Sequence, residues 1–401
     1  MRKQLIEFEE ALNRIGAIDF LPGRTPVEDR PLEEATGCVL AEPVTAVISS
    51  PPFTNSAMDG FAYRHPGTGG VIRLPIAGTV YAADHIECTG QDHAHRIMTG
   101  APLPACSDSV VKVEDCTEPE KGMVEFELPA ITGLNVRKEG EDLTVGRLLY
   151  EKGTILDSPT LLVLASQGFS TIKIIPPPRV GIISTGSEIT EPGQPLKPGM
   201  IYNSSQVFLK SEIKRLGLWL AFCQKIPDDK DLTRRIAENA DADIVISTGG
   251  ISMGEKDYIP GELDETGYHI LFHGVAMRPG QPNLLAKKEG GACWLGLPGN
   301  TIATMIGFRF LFLPLVRRYY GLEHREKGRS ATLTTEAPSL RGKTRFYRGV
   351  LKEDANGETR VTLDRFQSSY AVSPTIRSNC FLRLDKEGSR TGQAFGFVGN
   401  L

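Results

Sequence analysis

Residues 180–257 constrain the fold more than any other part of the chain. Val180-Gly181-Ile182-Ile183-Ser184 is apolar without alternation, the pattern of a strand buried on both faces, and it runs into Thr185-Gly186-Ser187-Glu188. Leu209, Ile213 and Leu216 share one helical face that stops at Gly217. Residues 220–226 read as a second strand, and Leu232, Ile236 and Ala240 mark a second helix capped by Asp228 or Asp229. Residues 243–247 form a third strand-like run. Strands separated by single helices predict a right-handed βαβ layer with its ligand site where the carboxyl ends of the strands open into loops.

At 401 residues the chain is too long for one ordinary core, so other domains must flank this layer. Leu5, Phe8, Leu12 and Ile15 fall at helical spacing and predict a short amphipathic helix ending at Gly16. Residues 50–140, with short apolar runs at 70–76 and 122–128, read as a compact β module, and Pro176-Pro177-Pro178 suggests a boundary before the layer. A helix is expected over 301–320, then a charged linker from Glu323 to Gly328. The tail from 330 to 401, with runs at 345–351, 360–363, 380–384 and 394–398, reads as a small β-barrel-like domain.

Composition narrows the function. A net charge of -4 gives no global basic surface, so nucleic-acid binding through phosphate neutralisation is not expected and an anionic ligand must be held locally. Seven scattered cysteines without a Cys-x-x-Cys pair argue against a disulfide framework and a zinc site. The start Met1-Arg2-Lys3-Gln4-Leu5-Ile6-Glu7 carries no export-signal pattern. The most apolar stretch, 302–316, is too short to span a bilayer and is interrupted by Arg309 and Pro314, so a cytoplasmic protein with no membrane contact is expected.

The chemistry concentrates in the loops of the layer. Ser247-Thr248-Gly249-Gly250-Ile251-Ser252-Met253-Gly254-Glu255-Lys256-Asp257 leaves a strand through a turn that presents backbone N–H groups to an anion, or else simply connects strand to helix. Glu188, Asp228 and Asp257 should converge on one edge, where mutual repulsion favours Mg²⁺ with phosphate oxygens; the bland alternative is helix capping by Asp228 and solvation of Asp257. Arg278-Pro279-Gly280-Gln281-Pro282 and Gly296-Leu297-Pro298-Gly299-Asn300 end two further strands near that edge. Arg278 is suited to an oxyanion, or to a solvated turn. In the β module, the segments around Asp59-Gly60 and Thr99-Gly100 read locally as turns, and Asp92-His93-Ala94-His95 reads as surface with no assigned role.

Taken in order, segments 51–62, 96–102, 139–146, 184–189, 247–257, 278–282 and 296–300, with tail pieces Arg348-Gly349 and Ser368-Ser369, resemble the motifs of the MoeA family of molybdopterin molybdenumtransferases, which includes the gephyrin E domain. The resemblance implies a multidomain α+β and α/β fold. Its parts would be a discontinuous N-terminal domain (1–50 and 140–178), an inserted β module (51–139), a three-layer βαβ molybdopterin-binding domain (179–325) and a C-terminal β-barrel (326–401). It also implies a homodimer that binds adenylylated molybdopterin with Mg²⁺, inserts molybdate at the dithiolene and releases AMP, with a second subunit completing the site. A pterin adenylyltransferase and molybdoenzyme-maturation proteins are the implied partners.

By motif, Asp59, Thr99, Asp142 and Glu188 are the implied catalytic residues, and Glu188, Asp228 and Asp257 the metal ligands. Thr248, Gly249, Gly250, Ser252, Arg278, Pro298, Arg348 and Ser369 are the implied substrate contacts. Two departures stand out. Where the family often has Lys-Pro-Gly-Lys-Pro, Gln281 replaces the second lysine, and Thr301 replaces a proline after Asn300, which could loosen that loop. Rival readings are a pterin adenylyltransferase, whose fold resembles the 179–320 segment, and a non-catalytic molybdopterin carrier that keeps the pocket without turnover.

Overall fold

The computed structural model describes residues 5–20, 26–84, 90–252, 257–337, 342–385 and 389–401. Residues 253–256 of the glycine-rich segment, and Cys88, lie outside them. The chain divides into two compact units: residues 1–41, 155–157 and 172–401 form the first, and 42–154 with 158–171 the second.

The first unit is built on a six-stranded sheet in the order Trp219–Ile226, Arg179–Thr185, Ile244–Thr248, Cys293–Leu297, Leu284–Lys288, Tyr268–His273. The first four strands are parallel, and the last two join antiparallel. Both faces are covered, which explains the unalternating apolar runs. Val180, Ile182, Ile244, Ile246 and Leu295 meet Leu209 and Ile213 of the helix Ser204–Arg215 on one side. Ile183, Val245 and Trp294 meet Ala237 and Leu263 on the other, and the buried Trp294 indole N–H donates to Ser247 Oγ at 2.9 Å. The helix Lys230–Asn239 is capped by Asp229, whose carboxylate accepts from Leu232 N at 2.7 Å. With the cap assigned to Asp229, the neighbouring Asp228 side chain turns to the loop instead.

The long expected helix is present as Thr301–Gly307 and Leu313–Tyr319, joined by a π-helical turn, Phe308–Phe312. Pro314 has no N–H to offer the carbonyl one turn back, so the register widens just before it. The charged linker is not a loose connector. Arg309, only 3% exposed, grips the Glu326 carboxylate with both terminal nitrogens at 2.5 and 2.7 Å, and Arg325 pairs with Glu9 at 2.8 Å.

Beyond it, five strands close into a barrel in the order Thr344–Glu353, Thr359–Leu363, Arg329–Leu333, Thr391–Gly396, Cys380–Leu384 and back to Thr344–Glu353. Closure removes free sheet edges and encloses a core that includes Tyr347, Val361 and Leu382. The two-residue strand Met277–Arg278 adds alongside, pairing Met277 with Thr344 and Arg278 with Arg345. A loop that the sequence assigns to the α/β layer is thereby fastened to the barrel. Among the described residues, no helix is long and apolar enough to cross a membrane.

The second unit holds a six-stranded sheet in the order Ser109–Lys112, Gly60–Tyr63, Ala94–Ile97, Val71–Val80, Met123–Glu127, Cys116–Thr117. Its core includes Phe61, Tyr63, Val111 and Phe126, with the Tyr63 and Phe126 rings edge to face at 4.8 Å. Three local expectations change here. Gly60 opens a strand: a Cβ there would lie 1.9 Å from the Val111 carbonyl oxygen, so close strand approach accounts for the glycine. His95 is 3% exposed rather than on the surface, and burial lowers its pKa, with His93 adding to the shift. Cys106 is disulfide-bonded, although the scattered cysteines argue against a disulfide framework, because wide spacing along a chain says nothing about proximity after folding.

Candidate active site

At the carboxyl edge of the parallel strands of the first unit, a cavity of about 650 Å³ is lined by Glu188, Asp228, Asp257, Thr248, Gly249 and Gly250, among others. The three carboxylates expected to converge therefore do face one space. Strand register brings them there: Ser184 pairs with Thr248 and Thr185 with Ile226, so the loops following the three strands start level. Gly249 and Gly250 have φ of +85° and +64°, and a Cβ on Gly249 would meet the Thr185 carbonyl oxygen at 2.9 Å. Only glycine takes this turn without strain.

The N–H of Gly249 donates to the Leu297 carbonyl at 3.0 Å, so this amide is occupied in holding two loops together and is not presented to an anion. Asp228 Oδ2 accepts from the N–H and hydroxyl of Ser187 at 3.4 and 3.5 Å. The Glu188 carboxylate folds over Gly186, where a Cβ would lie 2.7 Å from its Oε2. Ser252 is exposed and does not line this cavity.

The donor set bears on the expected Mg²⁺. Among the described residues no three carboxylate, histidine or cysteine groups are gathered closely enough to cage a metal by themselves. Carboxylates spread around a roomy cavity fit a hard cation that keeps several waters and takes its remaining ligands from substrate phosphates.

Next to it lies a second cavity of about 310 Å³, and Asn300 lines both. Here the charge is reversed: Arg278, Lys343 and Arg345 face the space with Pro298, Ser368 and Ser369. The loop between the cavities is well tied. Thr304 Oγ1 donates to the Pro298 carbonyl at 2.7 Å, Asn300 Nδ2 reaches Ser369 Oγ at 3.5 Å, and Thr301 Oγ1 meets Ser204 Oγ at 3.0 Å. Thr301 opens a helix, where proline would also be accommodated, and its hydroxyl adds a tie that proline lacks, so the expected loosening is not what the structure shows.

Arg348 does not line either cavity. It is 1% exposed, and its guanidinium donates to the carbonyls of Phe366 at 3.1 Å, Ser368 at 2.9 Å and Ala371. Burial holds its pKa below the usual arginine range, with Asp364 opposing. Arg348 thus shapes the loop that carries Ser368 and Ser369. The cations that do face the cavity from the barrel, Lys343 and Arg345, are not among the residues that the motifs point to. Their signal was the alternation Lys343-Thr344-Arg345 just upstream of Arg348-Gly349, two basic residues on one side of a strand start.

In the second unit, Asp59 precedes the strand Gly60–Tyr63 and Thr99 follows Ala94–Ile97, and pairing of Gly60 with Ile97 brings the two together. Asp59 Oδ1 accepts from Thr99 N at 2.6 Å and from Thr99 Oγ1 at 2.8 Å. The backbone bond first, and then the hydroxyl, hold the Asp59 carboxyl below its ordinary pKa. Both bonds favour the ionised form, so Thr99→Val, which deletes the hydroxyl donor alone, is expected to move the Asp59 titration to higher pH. Carboxyl-carbon NMR across the acid range checks this, and an unmoved or lowered midpoint would contradict it. Asp142 is exposed, with its N–H on the Ser50 carbonyl at 3.0 Å and its own carbonyl accepting from Arg147 at 3.0 Å.

Comparison with known proteins places these features in a family. Residues 6–168 match the MoeA N-terminal region (domain I and II), 181–318 a probable molybdopterin binding domain, and 330–396 the MoeA C-terminal region (domain IV). The chain is similar to a molybdopterin molybdenumtransferase of Haemophilus influenzae, 34% identical over 376 residues that cover 92% of each chain. It is also similar to one of Staphylococcus aureus, 32% identical over 397 residues covering 96% of this chain and 92% of the other. A crystal structure of a molybdopterin biosynthesis MoeA protein from Pyrococcus horikosii superimposes with a TM-score of 0.83 at 30% identity, covering 99% of this chain and 100% of that one.

Proposed function

The chain belongs to the MoeA family and is an enzyme of molybdenum cofactor biosynthesis, and from that premise we propose that it inserts molybdate into adenylylated molybdopterin with Mg²⁺ and releases AMP. The observation that carries this reading is the pair of adjoining cavities of opposite charge that share Asn300.

The acidic cavity suits the nucleotide end. Glu188, Asp228 and Asp257 would hold Mg²⁺, which when bound supplies charge neutralisation for phosphate oxygens. Thr248, Gly249 and Gly250 shape its wall. The cationic cavity suits the oxyanion: Arg278 brings a planar fork of donors, Ser369 a hydroxyl, and Pro298 a rigid wall, while Arg348 holds the serine loop from behind. A tetrahedral dianion would be attracted directly to the second cavity and repelled by the first, which would accept the anionic phosphates of the other substrate only together with Mg²⁺.

The same reading gives the Asp59–Thr99 pair a part in the reaction, as an ionised carboxylate held in one orientation, and Asp142 a part as well. A homodimer and a cytoplasmic setting also belong to it.

The test is AMP release from adenylylated molybdopterin by the purified protein with Mg²⁺, with and without molybdate. Release that requires the oxyanion supports the reading. Tight pterin binding without release under any oxyanion would favour a carrier, and ATP-dependent formation of the adenylylated pterin would favour an adenylyltransferase.

A further inference from the structure

We propose that Lys343, held in place by Gln281, is an oxyanion-binding cation of the second cavity and carries a charge that the Arg278–Pro282 loop does not. The inference rests on the functional reading above for the identity of the oxyanion. It rests on the structure for the residue.

Three observations converge. The described residues lining the 310 Å³ cavity include the cations Arg278, Lys343 and Arg345 and no carboxylate. The Lys343 ammonium donates to Gln281 Oε1. A neutral amide oxygen takes one of the three ammonium protons and fixes the group without cancelling its charge, leaving two for a ligand. A glutamate at 281 would have cancelled it, and a lysine at 281 would have repelled it.

The backbone sets the geometry. Arg278 pairs in register with Arg345, and Lys343 lies two residues before Arg345, next to Thr344, whose N–H donates to the Ala276 carbonyl at 2.9 Å. Alternate residues at a strand start point to one side, so Lys343 and Arg345 are delivered together from the barrel to the space that Arg278 borders from the loop. Gln281 therefore marks a relocation of charge from loop to barrel rather than a deficit.

The experiment is calorimetric titration of the full chain with sodium molybdate, alongside molybdate-dependent AMP release. Lys343→Ala is expected to weaken molybdate binding by about tenfold, the worth of one charge-assisted hydrogen bond. It should raise the molybdate KM with little change in kcat. Restoring the charge from the loop, as Gln281→Lys in the Lys343→Ala background, should recover most of the affinity; a merely structural role for Lys343 would give no such rescue. The proposal is overturned if Lys343→Ala binds molybdate like the unaltered protein while Arg278→Ala binds it more weakly, or if Gln281→Lys fails to rescue. Should molybdate bind with this pattern yet AMP release ignore it, the Lys343 assignment stands and the proposed reaction falls. Absence of molybdate binding by the unaltered protein would overturn both.

Discussion

Asp59→Ala is expected to cut molybdate-dependent AMP release by about 10²-fold or more, the usual range for losing a charge positioned to act on the reacting groups. Asp59 is exposed and bonded through Oδ1 to Thr99 alone among the bonds described for its side chain, so its removal leaves the surrounding strands intact. The thermal midpoint should therefore hardly move while turnover collapses. Asp59→Asn separates charge from shape. It keeps an acceptor for Thr99 but cannot be an anion, and it is expected to fall with Asp59→Ala if the ionised form is what the reaction uses. Single-turnover measurement at saturating molybdate and Mg²⁺ decides the matter, and a rate near that of the unaltered enzyme in either variant would remove Asp59 from the chemistry.

Arg348→Met should have the largest effect on stability. The substitution keeps an apolar stem but strands the carbonyls of Phe366, Ser368 and Ala371, three acceptors that Arg348 serves from a position 1% exposed. Unmade buried hydrogen bonds cost about 1–3 kcal/mol each, less whatever water can replace, so a loss on the order of 3 kcal/mol is expected. Because the same loop carries Ser368 and Ser369, molybdate affinity should fall along with the thermal midpoint. The pairing of the two effects is diagnostic. If Arg348→Met lost molybdate binding at an unchanged midpoint, Arg348 would be a direct ligand, as the family motif alone suggests, and the supporting role would be wrong.

Much of the first unit is legible in the sequence because its residues answer to local rules. A strand covered on both faces must be apolar along its centre, as residues 180–183 and 244–246 are, and an exposed helix terminus needs a short acceptor such as Asp229. The order of loops at the carboxyl edge then follows from parallel pairing, which is why Glu188, Asp228 and Asp257 were found as a group. Their separation was not readable. Whether three carboxylates form a cage or merely line a cavity depends on side-chain directions set by neighbours such as Ser187 and Gly186.

Long-range partners decide what local patterns leave open. The bend at 57–59 is where the turn signal puts it, but the need for glycine at 60 comes from the Val111 carbonyl, fifty-one residues further on. The turn at Gly249 allows either an anion-binding N–H or a plain connection, and the Leu297 carbonyl, which takes that N–H, decides for the connection. In each case a local pattern correctly marked a special residue and left its partner unnamed.

The sequence by itself determined the layered α/β core, the barrel-forming tail, the family and the positions of the acidic loops, since periodicity, capping and motif order are properties of neighbours along a chain. Only the tertiary structure decided that Arg348 supports rather than lines the cavity, that Asp59 bonds Thr99, and that Lys343 stands against Gln281. Those outcomes turn on which distant donor reaches which acceptor after strands pair and the barrel closes, and hydrogen bonds form over a few ångströms of space however many residues separate the partners.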